Sequence, residues 1–173
     1  MLKARSPDPT RTAPVESLSV HLSPPRARVV LQSTRGAEGA ADLDSAEVVV
    51  GVGMGIGGPE NLPLLQQLAK TLQAPIAATR DVTDAGWLPR HHQVGLTGRS
   101  IAPRVYIAVG IRGAMEHTVG IRRVGFVVAI NSDPKAPIFQ NADLGIVGDW
   151  KEMVVRLTQE LQQVRQPVLA VRS

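Results

Sequence analysis

The stretch from Ala77 to Asp149 decides the fold of this chain. It contains A-A-T-R-D-V-T-D-A-G-W, H-Q-V-G-L-T-G-R-S-I-A-P-R-V-Y-I-A-V-G-I-R-G-A-M-E-H, A-I-N-S-D-P-K-A-P-I-F and A-D-L-G-I-V-G-D, which begin at residues 77, 92, 129 and 142. Here short apolar strands end in glycine, small polar residues and one or two functional side chains. An open parallel sheet presents a ligand site at its carboxyl edge in this way. The stretch therefore predicts an open α/β sheet with a binding site at that edge.

The rest of the chain alternates strand-like and helix-like segments in the same manner. Buried parallel strands, which are continuous apolar runs, are predicted at Ala46–Val50, Pro75–Ala78, Val105–Val109, Gly125–Ile130 and Leu144–Val147. Helices are predicted at Asn61–Leu72, Val82–Gly86, Met115–Val119 and Trp150–Arg165. Two further strands are expected at Ser17–Leu22 and Ala27–Gln32, followed by a loop or weak helix over Ser33–Asp44. The alternation predicts an α/β three-layer sandwich with a mostly parallel, doubly wound, Rossmann-like sheet.

The composition limits the function of the chain. Its 173 residues are enough for one domain, which we expect at 17–165, between a disordered leader at 1–16 and a short tail at 166–173. The absence of cysteine excludes disulfides, thiolate metal sites and cysteine nucleophiles. The net charge of +4 is spread along the chain, so the sequence does not indicate a nucleic-acid partner. The sequence shows no run long enough for a membrane span, no hydrolase motif and no metal-ligand cluster.

Two motifs carry a resemblance to a known family. Gln93–Gly98 reads Q-V-G-L-T-G, and Gly110–His117 reads G-I-R-G-A-M-E-H. Together with the strand ends at Asn131 and Asp149, they resemble the C-terminal, FAD-binding domain of the electron transfer flavoprotein alpha subunit. The resemblance covers roughly residues 17–164 and implies a deoxyhypusine-synthase-like FAD/NAD-binding fold with FAD as the cofactor. The usual N-terminal domain of that subunit is expected to be absent.

The resemblance assigns the flavin ring to side chains after the second and third strands. Arg80 would lie against the ring, the Thr97 hydroxyl would hydrogen-bond near flavin N5, and His117 would donate to flavin O2. Val94 and Gly95 would bring backbone amides to the ring edge. From the residues alone, Arg80 is equally well a surface ion-pair partner. The lesser alternative for Thr97 is a satisfied residue of a tight turn.

The phosphates and the adenosine are assigned to other turns. The glycine-rich turn at Gly110–Gly113 feeds a helix and offers free N–H groups to a pyrophosphate. The earlier cluster Gly51–Gly58 either cradles a phosphate or only permits a sharp turn. By resemblance Asn131 and Asp149 hold the adenosine, although Asp149 is equally well the N-cap of the helix that begins at Trp150.

Four candidate positions depart from the family pattern. Met54 stands in place of an arginine, Leu96 of a glutamine, Arg112 of a serine and Glu116 of a glutamine. Arg112 either pairs with the pyrophosphate or obstructs the usual cofactor path. The candidate cofactor-binding residues are Met54, Thr79, Arg80, Gln93, Val94, Gly95, Leu96, Thr97, Gly110, Arg112, Gly113, Ala114, Met115, Glu116, His117, Asn131, Asp149 and Trp150.

The resemblance implies an electron carrier rather than an enzyme that acts on an organic substrate. FAD would accept electrons from dehydrogenases and pass them to an acceptor. The expected partners are an electron transfer flavoprotein beta-type subunit and a separate alpha N-terminal-domain chain, in the cytoplasm or, in a eukaryote, the mitochondrial matrix. The rival hypothesis is a diverged nucleotide-binding or protein-interaction module of the same fold that no longer binds FAD.

Overall fold

The structure, a computed structural model, describes residues 43–165. The expected leader and tail, the strands expected at 17–22 and 27–32, and most of the loop expected at 33–44 lie outside the described residues. Within residues 43–165 the chain alternates strands with helices, as the sequence predicted.

The strands form a single parallel sheet. They are β1 (Val48–Val52), β2 (Ile76–Ala78), β3 (Val105–Val109), β4 (Phe126–Asn131) and β5 (Leu144–Val147). The sheet has five strands in the order β2-β1-β3-β4-β5, and every pairing among the described residues is parallel. β1 continues past the predicted end at Val50, because Gly51 and Val52 still pair with both neighbouring strands. The prediction of a mostly parallel α/β sheet is confirmed.

The helices follow the strands on the carboxyl side. They are α1 (Leu62–Leu72), α2 (Arg80–Asp84), α3 (Met115–Thr118) and α4 (Trp150–Arg165). α2 begins two residues before the predicted Val82, because Thr79 is extended and serves as its N-cap. α1 ends at Leu72, and its C-cap is Gln73, which has a left-handed φ of 55° and donates its N–H to the carbonyls of Ala69 and Lys70. No helix among the described residues is long and apolar enough to cross a membrane.

The central strands of the sheet are buried on both faces, because successive side chains of a strand point to opposite sides. The edge strand β5, which the sequence predicted as buried, is instead exposed at Leu144 and Val147. Val50 and Val109 point to the face covered by α1 and α4. Val49 and Tyr106 point to the other face, where short turns carrying residues such as Ile138 form the cover. The three-layer prediction is confirmed, with one layer made of short turns. This layer leaves the carboxyl edge of the sheet open.

Candidate functional site

A groove with a volume of about 880 Å³ lies at the carboxyl edge of the sheet. Its walls come from the segments after β1, β2, β3 and β4, together with the loop that contains Gln93 and Thr97. These segments meet because all the strands are parallel and end at one edge. The volume lies within the range of about 300–1,000 Å³ that is usual for ligand and cofactor sites.

The groove brings together most of the residues that the sequence predicted. These residues are Met54, Thr79, Arg80, Gln93, Val94, Gly95, Leu96, Thr97, Gly110, Arg112, Gly113, Ala114, Glu116, His117 and Asn131. Gly53 and Gly55 of the first glycine cluster also line the groove, and lining residues that the prediction missed are Asp81, Asp84, Ile111, Asp133 and Ala136. Helical spacing after Arg80 could have found Asp84, since residues four apart share one helix face. Proximity to the end of β4 could have found Asp133.

Three predicted residues do not line the groove. Trp150, the first residue of α4, is 8% exposed and packs in the core. Asp149 acts as the N-cap of α4, since its Oδ1 accepts the Lys151 N–H at 2.7 Å. Met115, the first residue of α3, is exposed beside the groove. For Asp149 the capping alternative is therefore the one that the structure shows.

Thr79 places an unpaired hydroxyl in the groove wall. Its Oγ1 is buried and has no hydrogen-bond partner among residues 43–165. Although Thr79 is the N-cap of α2, the hydroxyl makes no capping bond. A buried polar group without a partner costs about 1–3 kcal/mol. A polar atom of a ligand in the groove would satisfy this hydroxyl.

Gln93 links two threonines across the wall of the groove. The Thr83 hydroxyl shares its proton between Gln93 Oε1 at 3.1 Å and the Arg80 carbonyl oxygen at 2.9 Å, and Gln93 Nε2 donates to Thr97 Oγ1 at 2.8 Å. Gln93 itself is only 2% exposed, whereas Thr97 is exposed to the groove. The Thr97 hydroxyl thus has a partner on the protein side and faces the groove on the other.

The backbone amides of Val94 and Gly95 are used within the protein. The Val94 N–H donates to the Ala78 carbonyl at 3.0 Å, and the Gly95 N–H donates to the Arg99 carbonyl at 3.1 Å. These bonds tie the loop to β2 and close its turn. The expectation that both amides are directed at a flavin ring is therefore not met.

His117 is engaged through both ring nitrogens. Nδ1 lies 3.0 Å from the Val94 carbonyl oxygen, and Nε2 lies 3.0 Å from the Tyr106 hydroxyl. A carbonyl only accepts, so Nδ1 carries the proton, and in the neutral ring Nε2 accepts the Tyr106 O–H. Burial lowers the pKa of His117, although its bond to Val94 acts in the opposite direction. The expected donation from His117 to a ligand is not met in this geometry.

Arg80 is paired at the surface but keeps donors for the groove. Its Nε lies 3.0 Å from Asp84 Oδ2, one turn further along α2, and both side chains are more than half exposed. Both residues also line the groove. Its two Nη groups make no hydrogen bond among the described residues. The surface ion pair and a ligand contact are therefore compatible.

The first glycine cluster brings two loops together rather than exposing amides. The Gly53 N–H donates to the Val109 carbonyl at 3.0 Å, and the Gly55 N–H donates to the Gly110 carbonyl at 2.9 Å. A Cβ on Gly55 would lie only 2.7 Å from the Gly110 oxygen. Gly53 and Gly55 therefore permit close approach of the loops after β1 and β3, and their amides are not available to a phosphate.

The loop after β3 is better suited to an anion. Gly110 and Gly113 turn it with φ angles of 62° and 90°. The N–H groups of Arg112, Gly113 and Ala114 have no acceptor within the described part of the chain. Consecutive unpaired amides at such turns form anion-binding concavities. The exposed Arg112 has no ion-pair partner among the described residues, and it lines the same part of the groove.

Comparisons with known proteins fit this geometry. Residues 42–122 match the family model described as "Electron transfer flavoprotein FAD-binding domain". The chain is 40% identical over 136 residues to the electron transfer flavoprotein subunit alpha of Thermoanaerobacterium thermosaccharolyticum, which covers 79% of this chain and 41% of that protein. It is 46% identical over 122 residues to the mitochondrial alpha subunit of Dictyostelium discoideum, with 70% and 34% covered. It is 38% identical over 163 residues to the alpha subunit of Bacillus subtilis, with 94% and 50% covered.

A parallel α/β domain with this groove is a nucleotide-binding domain of the Rossmann-like class. Over residues 42–122 it belongs to the FAD-binding domain family of electron transfer flavoproteins, and the relatives named above are alpha subunits. The resemblance inferred from the sequence motifs is thereby confirmed. The chain spans half or less of the length of each of these three relatives.

Proposed function

We propose that this domain binds FAD in the groove and carries electrons as the FAD-binding part of an electron transfer flavoprotein of the alpha type. The observation that carries the proposal is the convergence of segments from four strand ends on one groove. FAD supplies the reversible uptake and release of electrons. The residues of this chain bind it and set the charge around it.

The groups that lack partners fit such a cofactor. The Thr79 hydroxyl and the amides of Arg112–Ala114 can bond polar atoms of the ring and the phosphates. The Nη groups of Arg80 and the hydroxyl of Thr97 are also available in the groove. A guanidinium beside the ring favours electron-rich flavin, because it compensates negative charge that develops on reduction.

The adenosine end is proposed near the loop after β4. Asn131 shapes this loop, since its Nδ2 donates to the Ile111 carbonyl at 2.9 Å and its Oδ1 accepts the Asp133 N–H at 2.9 Å. The strands β2 and β5 are four strand spacings apart, about 19 Å. An extended dinucleotide can span much of this distance. The second carboxylate oxygen of Asp149 makes no bond among the described residues and is a candidate for a ribose hydroxyl.

The partners belong to the same proposal. Because the named relatives are alpha subunits of electron transfer flavoproteins, we infer that a beta-type subunit is a partner of this domain. Dehydrogenases would be the electron donors. Two relatives carry mitochondrial names, so the proposed location is the matrix in a eukaryote and the cytoplasm in a bacterium. The FAD domain would occupy 17–165, between a leader at 1–16 and a tail at 166–173.

One observation favours the rival function. Met54 and Leu96 line the groove with 43% and 67% of their surface exposed. Both replace polar residues of the family pattern, so the groove is more apolar than that pattern predicts. A nucleotide-binding or interaction module without FAD would tolerate such a change.

Flavin content separates the two functions. We expect the purified chain to carry FAD, or to take it up to near one equivalent, as measured by its visible absorbance. Thr79→Val should weaken FAD binding and stabilise the ligand-free protein, because it removes a hydroxyl that only the cofactor satisfies. Thr71→Val, on the exposed side of α1, is the control and should leave FAD affinity unchanged. A colourless chain that does not bind added FAD would support the alternative function, a nucleotide-binding or interaction module without FAD.

A further inference from the structure

Gln93 holds the Thr97 hydroxyl in one orientation. Its Nε2 donates to Thr97 Oγ1 at 2.8 Å. On the opposite side, the Thr83 hydroxyl shares its proton between Gln93 Oε1 at 3.1 Å and the Arg80 carbonyl oxygen at 2.9 Å. Gln93 and Thr97 both line the groove, but Gln93 is only 2% exposed, whereas Thr97 is exposed. In this arrangement the Gln93 amide oxygen faces Thr83 of α2, and the amide nitrogen donates to Thr97 at the groove.

The chemistry of the amide nitrogen determines what Thr97 offers to a ligand. An amide NH₂ has two donors and no acceptor, so the Thr97 oxygen uses a lone pair toward Gln93. The Thr97 proton must then point elsewhere, and no acceptor among the described residues receives it. The groove is the side on which this proton is free.

The backbone keeps this arrangement rigid. The Gln93 N–H donates to the Arg90 carbonyl at 3.0 Å, and the Gln93 carbonyl accepts the Arg99 N–H at 3.0 Å. Gly98 packs so closely on the Gln93 backbone that any side chain at 98 would overlap it. A donor held in this way loses little freedom when a ligand binds, which strengthens its contribution to affinity.

We propose that Gln93 is a positioning residue that fixes Thr97 as a hydrogen-bond donor, so that the groove selects a ligand with an acceptor atom at that point. This inference rests on the proposed binding of FAD, whose oxidised ring presents unprotonated nitrogen and carbonyl acceptors. Gln93 itself acts through Thr97 rather than by touching the cofactor. It differs in this respect from the direct contact that the sequence predicted for it.

The test exchanges donor and acceptor in the hydrogen bond between residue 93 and Thr97. In Gln93→Glu the new carboxylate has the same shape but only accepts, so it draws the Thr97 proton toward itself and turns a lone pair to the groove. We expect FAD affinity to fall by about tenfold, the effect of one lost hydrogen bond of ordinary strength. The visible absorption bands of bound flavin, which respond to hydrogen bonds at the ring, should shift as well.

Two further variants separate polarity from packing and from charge. Gln93→Met fills the space but neither donates nor accepts, so Thr97 loses its fixed orientation but can still turn its proton to the groove. FAD affinity should therefore fall clearly less than in Gln93→Glu. Thr97→Val removes the hydroxyl and should weaken FAD binding to a similar extent as Gln93→Glu. Adding Gln93→Glu to Thr97→Val should then cause no further loss.

The outcomes distinguish the failure of this inference from the failure of the proposed function. Equal losses of FAD affinity in Gln93→Glu and Gln93→Met would overturn the proposed role of Gln93 but not FAD binding. A Gln93→Glu effect that persists in full in the Thr97→Val background would do the same. An unchanged affinity in Gln93→Glu would do the same, because it would mean that Thr97 already donates to Gln93. An unmodified chain that takes up no FAD at all would overturn both.

Discussion

At the scale of single residues, the ion pair between Arg80 and Asp84 sets how much positive charge reaches the groove. The carboxylate lies 3.0 Å from the guanidinium and also lines the groove. Asp84→Asn removes one negative charge near the proposed flavin, which should raise the reduction potential of the bound cofactor. Stability should change little, since exposed pairs contribute only about 0–1 kcal/mol. A potential that stays constant would place Arg80 and Asp84 away from the ring.

Arg112 gives a second test at this scale. Its side chain is exposed at the rim of the groove and has no ion-pair partner among the described residues, so it is free to meet a phosphate. Arg112→Ser should weaken FAD binding by about 1–3 kcal/mol, the scale of a charge-assisted hydrogen bond. The measurement is a titration with FAD followed by flavin fluorescence. Tighter binding in the variant would show that the arginine obstructs the cofactor path instead.

At the scale of elements, the contact between the loops after β1 and β3 closes the floor of the groove. A Cβ on Gly53 would lie 2.6 Å from Ile111 Cα and would also overlap the Gly110 carbonyl. Gly53→Ala should therefore destabilise the domain by about 1–3 kcal/mol, the usual cost of overpacking, as measured by urea unfolding.

Gly148 is the matched control for this substitution. A Cβ there would meet no atom within 4 Å, and its φ lies outside the left-handed region. Gly148→Ala should be neutral or stabilise by up to about 1 kcal/mol, because it restricts the unfolded chain. Equal unfolding midpoints for the two alanine variants would contradict the close contact between the loops.

The same scale shows what local sequence could predict and what it could not. The five strands and α4 were predicted because buried parallel strands and long amphipathic helices carry their signal within a few consecutive residues. The partners of His117 were not predictable in this way. They lie 11 and 23 positions away in the chain, at Tyr106 and Val94. Only the packing of β3 against the loop decides that both ring nitrogens are used internally.

The hydrogen-bond partners of the backbone amides were likewise not predictable from local sequence. Glycine-rich turns after strands predicted a phosphate site at two places, and both turns exist. The amides of Gly53 and Gly55 are consumed by the neighbouring loop, whereas those after Gly110 remain unpaired. Which turn keeps its amides depends on strand order, and strand order is not encoded in either motif. The prediction for Trp150 failed for a similar reason, because its side chain packs in the core instead of lining the groove.

At the scale of the whole molecule, the buried His117 and the half-buried His92 make stability depend on pH. Burial lowers the pKa of His117 and of His92 from the ordinary 6.5. The unfolded chain then binds more protons than the folded chain below about pH 6.5. The contribution of the two neutral rings is therefore fully present above that pH and is lost as the pH falls toward their folded values.

The measurement is the free energy of unfolding in urea at about pH 7.5 and about pH 5.5, on either side of the ordinary histidine pKa. We expect a clear loss of stability at the lower pH. His117→Asn keeps a donor for the Val94 carbonyl but does not titrate, so the loss should be smaller in this variant. The same loss in both chains would show that His117 does not contribute to the pH dependence.

Because Tyr106 fills the space beside Gly51, the ultraviolet absorbance of this tyrosine can report whether the domain is folded. Tyr106 is the single tyrosine of the chain, and its hydroxyl occupies the space that a Cβ on Gly51 would fill. Burial raises the pKa of this phenol above its ordinary 10.0. At alkaline pH the ultraviolet absorption band of the phenolate should therefore be absent while the domain is folded and appear only when it unfolds. A band that grows near pH 10 in a chain whose helical circular dichroism is intact would show instead that hydroxide reaches the phenol without unfolding.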